Sequence, residues 1–149
     1  MHFELKDVIT IAIAVVGAVL GIINTWQVLD QRRVRLRVVP QIARMFFRGE
    51  FGKPMGCIEV INLSAFPVRI HEIGFTIKGD PRSNKRLVIS APLTADQKPF
   101  ARTLPARHSV TGYFDLNTIG PEIRKAYVMT DCREVAYGKG QALKSMRRG

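Results

Sequence analysis

Between Val8 and Leu29 the chain runs for 22 residues without a charge. Every residue from Val8 to Ile23 is apolar or small except Thr10, and Asn24, Thr25, Trp26 and Gln27 follow before Asp30. As a helix rising about 1.5 Å per residue, this stretch spans about 33 Å, close to the hydrocarbon thickness of a bilayer. Lipid offers no partner to a backbone N–H or C=O, so a lone segment of this kind must be helical. Asp7 suits the positive end of such a helix, and Trp26 suits headgroup depth at the other end. A cleaved signal peptide would carry a basic leader, a shorter apolar core and a small-x-small cleavage site. The leader is instead MHFELKD, of mixed charge, and the core exits through NTWQVLDQRR, a poor cleavage site. A helix buried in a soluble core would show a polar face, and none is present. The sequence therefore predicts a single transmembrane helix over 8–29 after a flank of residues 1–7.

Sidedness follows from the flanking cations. Lys6 alone precedes the helix, whereas Arg32, Arg33, Arg35 and Arg37 follow it. That excess places the C-terminal side in the cytoplasm and the N-terminus outside, in a bacterial inner membrane or a virion membrane. The same four arginines are candidates for contact with anionic headgroups, each gaining about 1 kcal/mol near the surface. The plainer reading is that they only fix topology, and both can hold. Within the helix, Ala14, Gly17, Ala18 and Gly21 share one stripe, extended by Thr10 and Thr25, with G-x-x-x-G between Gly17 and Gly21. Small residues let backbones approach closely, which points to a homo-oligomer or a partner membrane helix. Against that, glycine and alanine are common in such helices.

The remainder divides into a domain over 30–138 and a tail over 139–149. From Asp30 onward there are 22 basic and ten acidic residues, within a net charge of +11 for the whole chain. So basic a domain should attract anionic lipid, an acidic partner or nucleic acid. Residues 33–39 alternate arginine with apolar residues, the period of a strand, and Pro40 is expected to end or bend it. Further strands are expected at Ala43–Phe47, Cys57–Leu63, Val68–Ile77 (with Gly74 as a possible bulge), Leu87–Ser90, His108–Leu116, Tyr127–Thr130 and Val135–Tyr137. Turns are expected at Gly49–Gly52, Gly79–Pro81 and Ser83–Asn84, a loop over 91–105 as the most mobile segment, and a helical turn at Gly120–Lys125. The tail is expected to be frayed or helical. Seven or eight short strands with no long amphipathic helix indicate a mainly β fold, an antiparallel β-sandwich behind the membrane helix.

With its membrane helix, its Arg-rich first strand and the segments EVINLSAFPVRIHEIGF, LPARHSVTGYFD and AYVMTDCREVAYG, the chain resembles small uncharacterised bacterial or phage proteins that carry an anchored immunoglobulin-like domain. The resemblance implies an immunoglobulin-like sandwich and brings no activity with it.

Chemistry-bearing residues are sparse. His108, Ser109 and Asp115 are the residue types of a nucleophilic triad, but alternation sends His108 and Ser109 to opposite faces of a strand. His71 and Glu72 diverge for the same reason, and no His/Cys/Asp group has metal-ligand spacing. Gly138-Lys139-Gly140 lacks the frame of a phosphate loop, and the sequon Asn62-Leu63-Ser64 lies in an apolar strand on the inferred cytoplasmic side. Cys57 and Cys132 read as free thiols in a reducing compartment, the alternative being one bridge across the sandwich. Arg44-Met45-Phe46-Phe47-Arg48 is the one local candidate for nucleic-acid contact, weakened because one of two adjacent phenylalanines should enter the core. No catalytic residue, metal or cofactor is implied. The expectation is a non-enzymatic membrane-anchored structural or protein-interaction module. The alternatives are a phage or virion component linking bilayer to nucleic acid or capsid, and an accessory subunit of a larger membrane complex.

Overall fold

A computed structural model describes residues 5–79 and 85–147. The chain forms two compact units, one reaching to Arg33 and one from Val34 onward. The first unit is a helix, α1 (Leu5–Gln31), which contains the expected span and extends it at both ends. None of its most apolar window is buried.

The second unit is mainly β. Its strands among the described residues are β1 (Leu36–Phe47), β2 (Glu50–Asn62), β3 (Val68–Ile77), β4 (Arg86–Val88), β5 (Leu93–Thr94), β6 (Thr103–Leu104), β7 (Ser109–Asp115), β8 (Ile123–Thr130) and β9 (Val135–Gly138). All pairings are antiparallel. One sheet runs β1-β2-β7-β5; the other runs β4-β3-β8-β9, with β6 also paired to β3. The two sheets share one core. Val38, Ile58, Val60, Val110 and Phe114 enter it from the first, and Ile70, Ile73, Phe75, Ala126 and Val128 from the second. Phe75 and Phe114 meet across it edge to face, with ring centroids 5.6 Å apart.

Several sequence expectations need correction. Pro40 does not end the first strand: β1 continues through it to Phe47. The Leu63 N–H donates to the Arg35 carbonyl at 2.8 Å, and this sets the phase of the pair. Odd-numbered residues of β1 then face β2 with their polar groups, and the nitrogen of Pro40 faces outward from an edge strand, where no donor is needed. The turn is tighter than Gly49–Gly52. Phe47 pairs with Glu50, and the two residues between, Arg48 and Gly49, have φ of 52° and 88°. Two positive φ values in a two-residue loop are the signature of a type I′ hairpin, matched to the twist of its strands.

Gly74 marks no bulge; the β3–β8 irregularities fall at Ile70/Glu72 and Thr76/Ile77. A Cβ at Gly74 would lie 2.0 Å from the Leu87 carbonyl oxygen, so the glycine permits close approach of β4. The helical turn expected at Gly120–Lys125 is replaced by the start of β8, where Ile123 is buried. A single 3-10 turn stands earlier, at Leu116–Thr118, because the Asp115 carboxylate accepts from the Asn117 N–H. The loop over 91–105 is not loose. It contains β5 and β6, sends Phe100 and Leu104 into the core, and is tied by Arg102 to Asp96 and by the Thr94 hydroxyl to the Lys98 carbonyl at 2.5 Å. The tail takes the helical option as α2 (Gln141–Met146), with Leu143 and Met146 buried. Burying two such side chains stabilises by about 1.5–3 kcal/mol each. The turns expected from Asp80 to Asn84 lie outside the described residues.

Candidate membrane-contact and partner surfaces

On α1 the side chains that would meet lipid are exposed around the whole circumference, from Val8 and Ile13 to Leu20 and Trp26. The two threonines within the uncharged stretch are satisfied inside the helix. Thr10 donates to the Lys6 carbonyl and Thr25 to the Gly21 carbonyl, each at 2.8 Å. This internal bonding is what a hydroxyl needs where no water is available. Ala14, Gly17, Ala18 and Gly21 are exposed on α1, and a Cβ on Gly17 or Gly21 would meet nothing within 4 Å.

The four juxtamembrane arginines divide between the units. Arg32 and Arg33 close the first, their N–H groups donating to Leu29 and Asp30 carbonyls at 3.3 and 3.2 Å. Arg35 and Arg37 begin the second and are exposed. The backbone of Arg35 is anchored: its N–H donates to Ser64 Oγ at 2.8 Å, and its carbonyl accepts from Leu63.

The triad types do not assemble. Ser109 and Asp115 stand at opposite ends of β7, about 20 Å apart at strand rise. His108 Nδ1 lies 2.9 Å from the Ala106 carbonyl, and the Asp115 carboxylate is spent on its 3-10 turn. His71 faces Asp131 at 3.5 Å, and Asp131 also pairs with Arg69 at 3.0 Å. Glu72 instead accepts from the Tyr127 hydroxyl at 3.0 Å. Burial and that bond both hold the phenol well above its usual range. Among the described residues no three His, Cys, Asp or Glu side chains gather as a metal site.

Both cysteines are free, so the bridged alternative does not occur. On β2 the core takes Ile58 and Val60, so period two puts Cys57 on the opposite face. Its Sγ lies 3.5 Å from the Gln41 carbonyl, and burial, with help from Glu59, pushes the thiol pKa up. Cys132 sits exposed in the β8–β9 turn. The sequon asparagine, Asn62, is fully buried, closing it to modification in the folded protein. A cleft of about 660 Å³ lies beside β3 and the 88–101 segment, with His71, Glu72, Leu93 and Phe100 among its walls. Among the described residues, no hydrogen bond joins Ser90 or Thr94 of its lining to His71 or Glu72; the Thr94 hydroxyl donates to the Lys98 carbonyl and Glu72 accepts from Tyr127.

Sequence reasoning singled out Arg44–Arg48 but missed Phe51 and the exposure of the β1–β2 hairpin tip they share. The inner half of β1 is covered: a Cβ on Gly138 would lie 2.3 Å from the Val38 carbonyl oxygen, and one on Gly140 3.6 Å from the Pro40 ring. The outer half is exposed on both strands, from Arg44 to Phe46 and from Arg48 to Pro54. Phe46 is not a core residue. It is 62% exposed, Phe51 is 73% exposed, and their ring centroids stand 5.0 Å apart. Met45, next to Phe46 along β1, is half exposed, and period two sends it to the other face of the hairpin. The side chain of Phe47 lies outside the described residues. Arg44, Arg48 and Lys53 each stand two positions from one of the aromatic pair in the hairpin, against the single acid Glu50. The signal was present in the apolar run Met45–Phe47 followed by Phe51, but a strand pattern alone does not say how far a hairpin projects beyond its sheet.

Comparison with protein-family models, curated proteins and solved structures returns no match for this chain.

Proposed function

We propose that this protein is a non-enzymatic, single-pass membrane-anchored β domain, a structural or protein-interaction module whose basic surface works at an anionic bilayer. The observation that carries the reading is α1. It is long enough to span, apolar on every face, and holds its two mid-helix hydroxyls in internal hydrogen bonds. The arginines at 32, 33, 35 and 37 support an N-terminus outside and a cytoplasmic β domain. Near headgroups they would add about 1 kcal/mol each.

The strand order supports an immunoglobulin-like sandwich. Lettering β1, β2, β3, β4, β5, β7, β8 and β9 as A, B, C, C′, D, E, F and G gives sheets A-B-E-D and C′-C-F-G, the grouping of that architecture. Such a frame presents loops and edges to partners and fits an interaction role, though fold alone selects no activity.

Sidedness is read directly by Cys132, which is exposed while Cys57 is buried. In intact cells a membrane-impermeant maleimide should leave the protein unmodified, and permeabilisation should expose one reactive thiol. The protein should also stay with membranes through carbonate washing. Labelling without permeabilisation would reverse the orientation, and release by carbonate would remove the anchor.

A further inference from the structure

We infer that the tip of the β1–β2 hairpin is a second membrane-contact element, entering the interfacial layer of an anionic bilayer with Phe46 and Phe51 on one face and Met45 on the other. This rests on the anchored reading and deepens it. The aromatic pair is displayed in a way that folding does not explain. Phe46 and Phe51 pack on each other at 5.0 Å yet remain 62% and 73% exposed, so most of their apolar surface stays in water. A residue pair that only stabilised the hairpin would bury more of itself.

The surroundings select the occupant. Arg44 and Lys53 come from the two strands and Arg48 from the turn, giving the tip three cations and one acid. Aromatic rings on a hairpin tip that also carries long basic side chains match a headgroup interface: the rings suit the acyl boundary while the cations stay with phosphates. The turn is short, two residues of positive φ in the type I′ form that matches the twist of the strands, so the hairpin itself holds the rings at its end. A bilayer would also be close, because only four residues separate α1 from β1.

Nitroxide accessibility of the full chain in nanodiscs tests this. In a Cys132→Ser background, labels go at Met45→Cys, at Val16→Cys within α1 and at Ser109→Cys on β7. In discs containing phosphatidylserine, the oxygen-to-nickel-chelate accessibility ratio at position 45 should exceed that at 109 several-fold. It should fall to the level at 109 when Phe46→Ser and Phe51→Ser are combined, or when the discs are neutral. Both serine substitutions are at exposed positions, and circular dichroism of the double variant checks that the fold persists. A ratio at 45 equal to that at 109 in anionic discs overturns the inference, whatever position 16 reports. A water-exposed label at 16 overturns the anchor separately. Equal insertion into neutral discs overturns the assignment to an anionic surface. A label at 45 that is immobilised in crowded discs and freed by dilution gives the tip to a second copy of the chain, and overturns the inference as well.

Discussion

Asn62, at the end of β2, is completely buried and holds three chain segments together. The two hydrogens of its Nδ2 are shared among the carbonyls of Phe66, Leu104 and Pro105, at 2.9, 3.0 and 3.1 Å, and its Oδ1 accepts from the Ser64 N–H at 2.9 Å. Its backbone adds bonds to His108 and Arg107, each 2.9 Å. The side chain thus supplies polar partners where the 63–67 turn and the 104–108 turn both enter the interior. Asn62→Ala removes those partners and leaves the backbone bonds. At least one buried carbonyl and the Ser64 N–H lose a partner, at about 1–3 kcal/mol each, and the vacated volume adds to this. The expected loss is about 3–5 kcal/mol, a large share of the 5–15 kcal/mol typical of a domain. With a urea slope of about 1.5 kcal/mol/M, the midpoint should fall by about 2–3 M. Pulse proteolysis of the full chain in mild detergent reads that midpoint for the β unit. Asn62→Asp should be no milder, since it keeps the acceptor, loses the donors and buries a charge. A shift below about 0.5 M for the alanine variant would mean that water replaces the amide, and would refute the reasoning.

Gly138→Ala would place a methyl 2.3 Å from the Val38 carbonyl oxygen, a backbone atom that cannot swing aside. It should cost about 2 kcal/mol or more and loosen the β9–β1 contact, visible as faster amide exchange in β9; unchanged exchange would contradict it. Native protein should react with one equivalent of thiol reagent, at Cys132, with Cys57 reacting only on unfolding; two fast equivalents would refute the burial of Cys57. Hydrogen bonding from Arg102 holds the Asp96 carboxyl well below its ordinary 3.8. Its contribution to the loop is present above that value and lost as pH falls through the lower folded one. The Lys98 amide, which donates to Asp96 at 3.3 Å, should therefore keep its resonance position through the ordinary carboxylate range. A midpoint near 3.8 would sink this. The Tyr127 phenol is shifted the other way, so the stability it lends is intact below the ordinary tyrosine range and falls as pH climbs past it. Tyr127→Phe should flatten that alkaline loss in a thermal-melt series, and an unchanged series would exclude the Tyr127–Glu72 bond as its source.

How much of this could be read from residues alone depends on how local the deciding physics is. The long apolar helix α1 was legible because its composition is a property of a continuous segment. β3 and the β8–β9 hairpin were legible because alternation and turn residues lie next to one another in sequence. The misreadings share a cause in tertiary geometry. Pro40 is harmless only because its nitrogen faces away from β2, a phase set by a bond between Arg35 and Leu63. Gly74 looked like a bulge because the close approach of Leu87 comes from another strand. The 91–105 stretch looked loose because prolines read as punctuation, whereas Phe100 and Leu104 fasten it to a core built from distant strands. At the candidate surfaces, the arginines were visible as a charge run, but the exposure of Phe46 was not. Which residue of a strand is inside depends on where the opposing sheet stops.

The hairpin contact and the anchor make different demands on affinity, and the difference is measurable. Fully burying a phenylalanine or methionine stabilises by about 1.5–3 kcal/mol, but interfacial insertion of half-exposed side chains recovers only part of that. Three cations add about 1 kcal/mol each. A favourable total of about 5–6 kcal/mol must meet an association cost that runs from about 4 kcal/mol upward. The β unit freed from its helix should therefore bind anionic vesicles only very weakly, at about tens of millimolar or weaker, and lose that binding as salt screens the cations. If α1 spans a bilayer, the same tip, attached to it through four residues, bears almost none of the association cost, because the surface is held at high effective concentration. Cleavage between Gln31 and Leu36, followed by vesicle sedimentation across a salt series, separates the two regimes. Micromolar binding by the released unit would show that the tip is a membrane-targeting element in its own right, and the anchor would then be unnecessary for the contact.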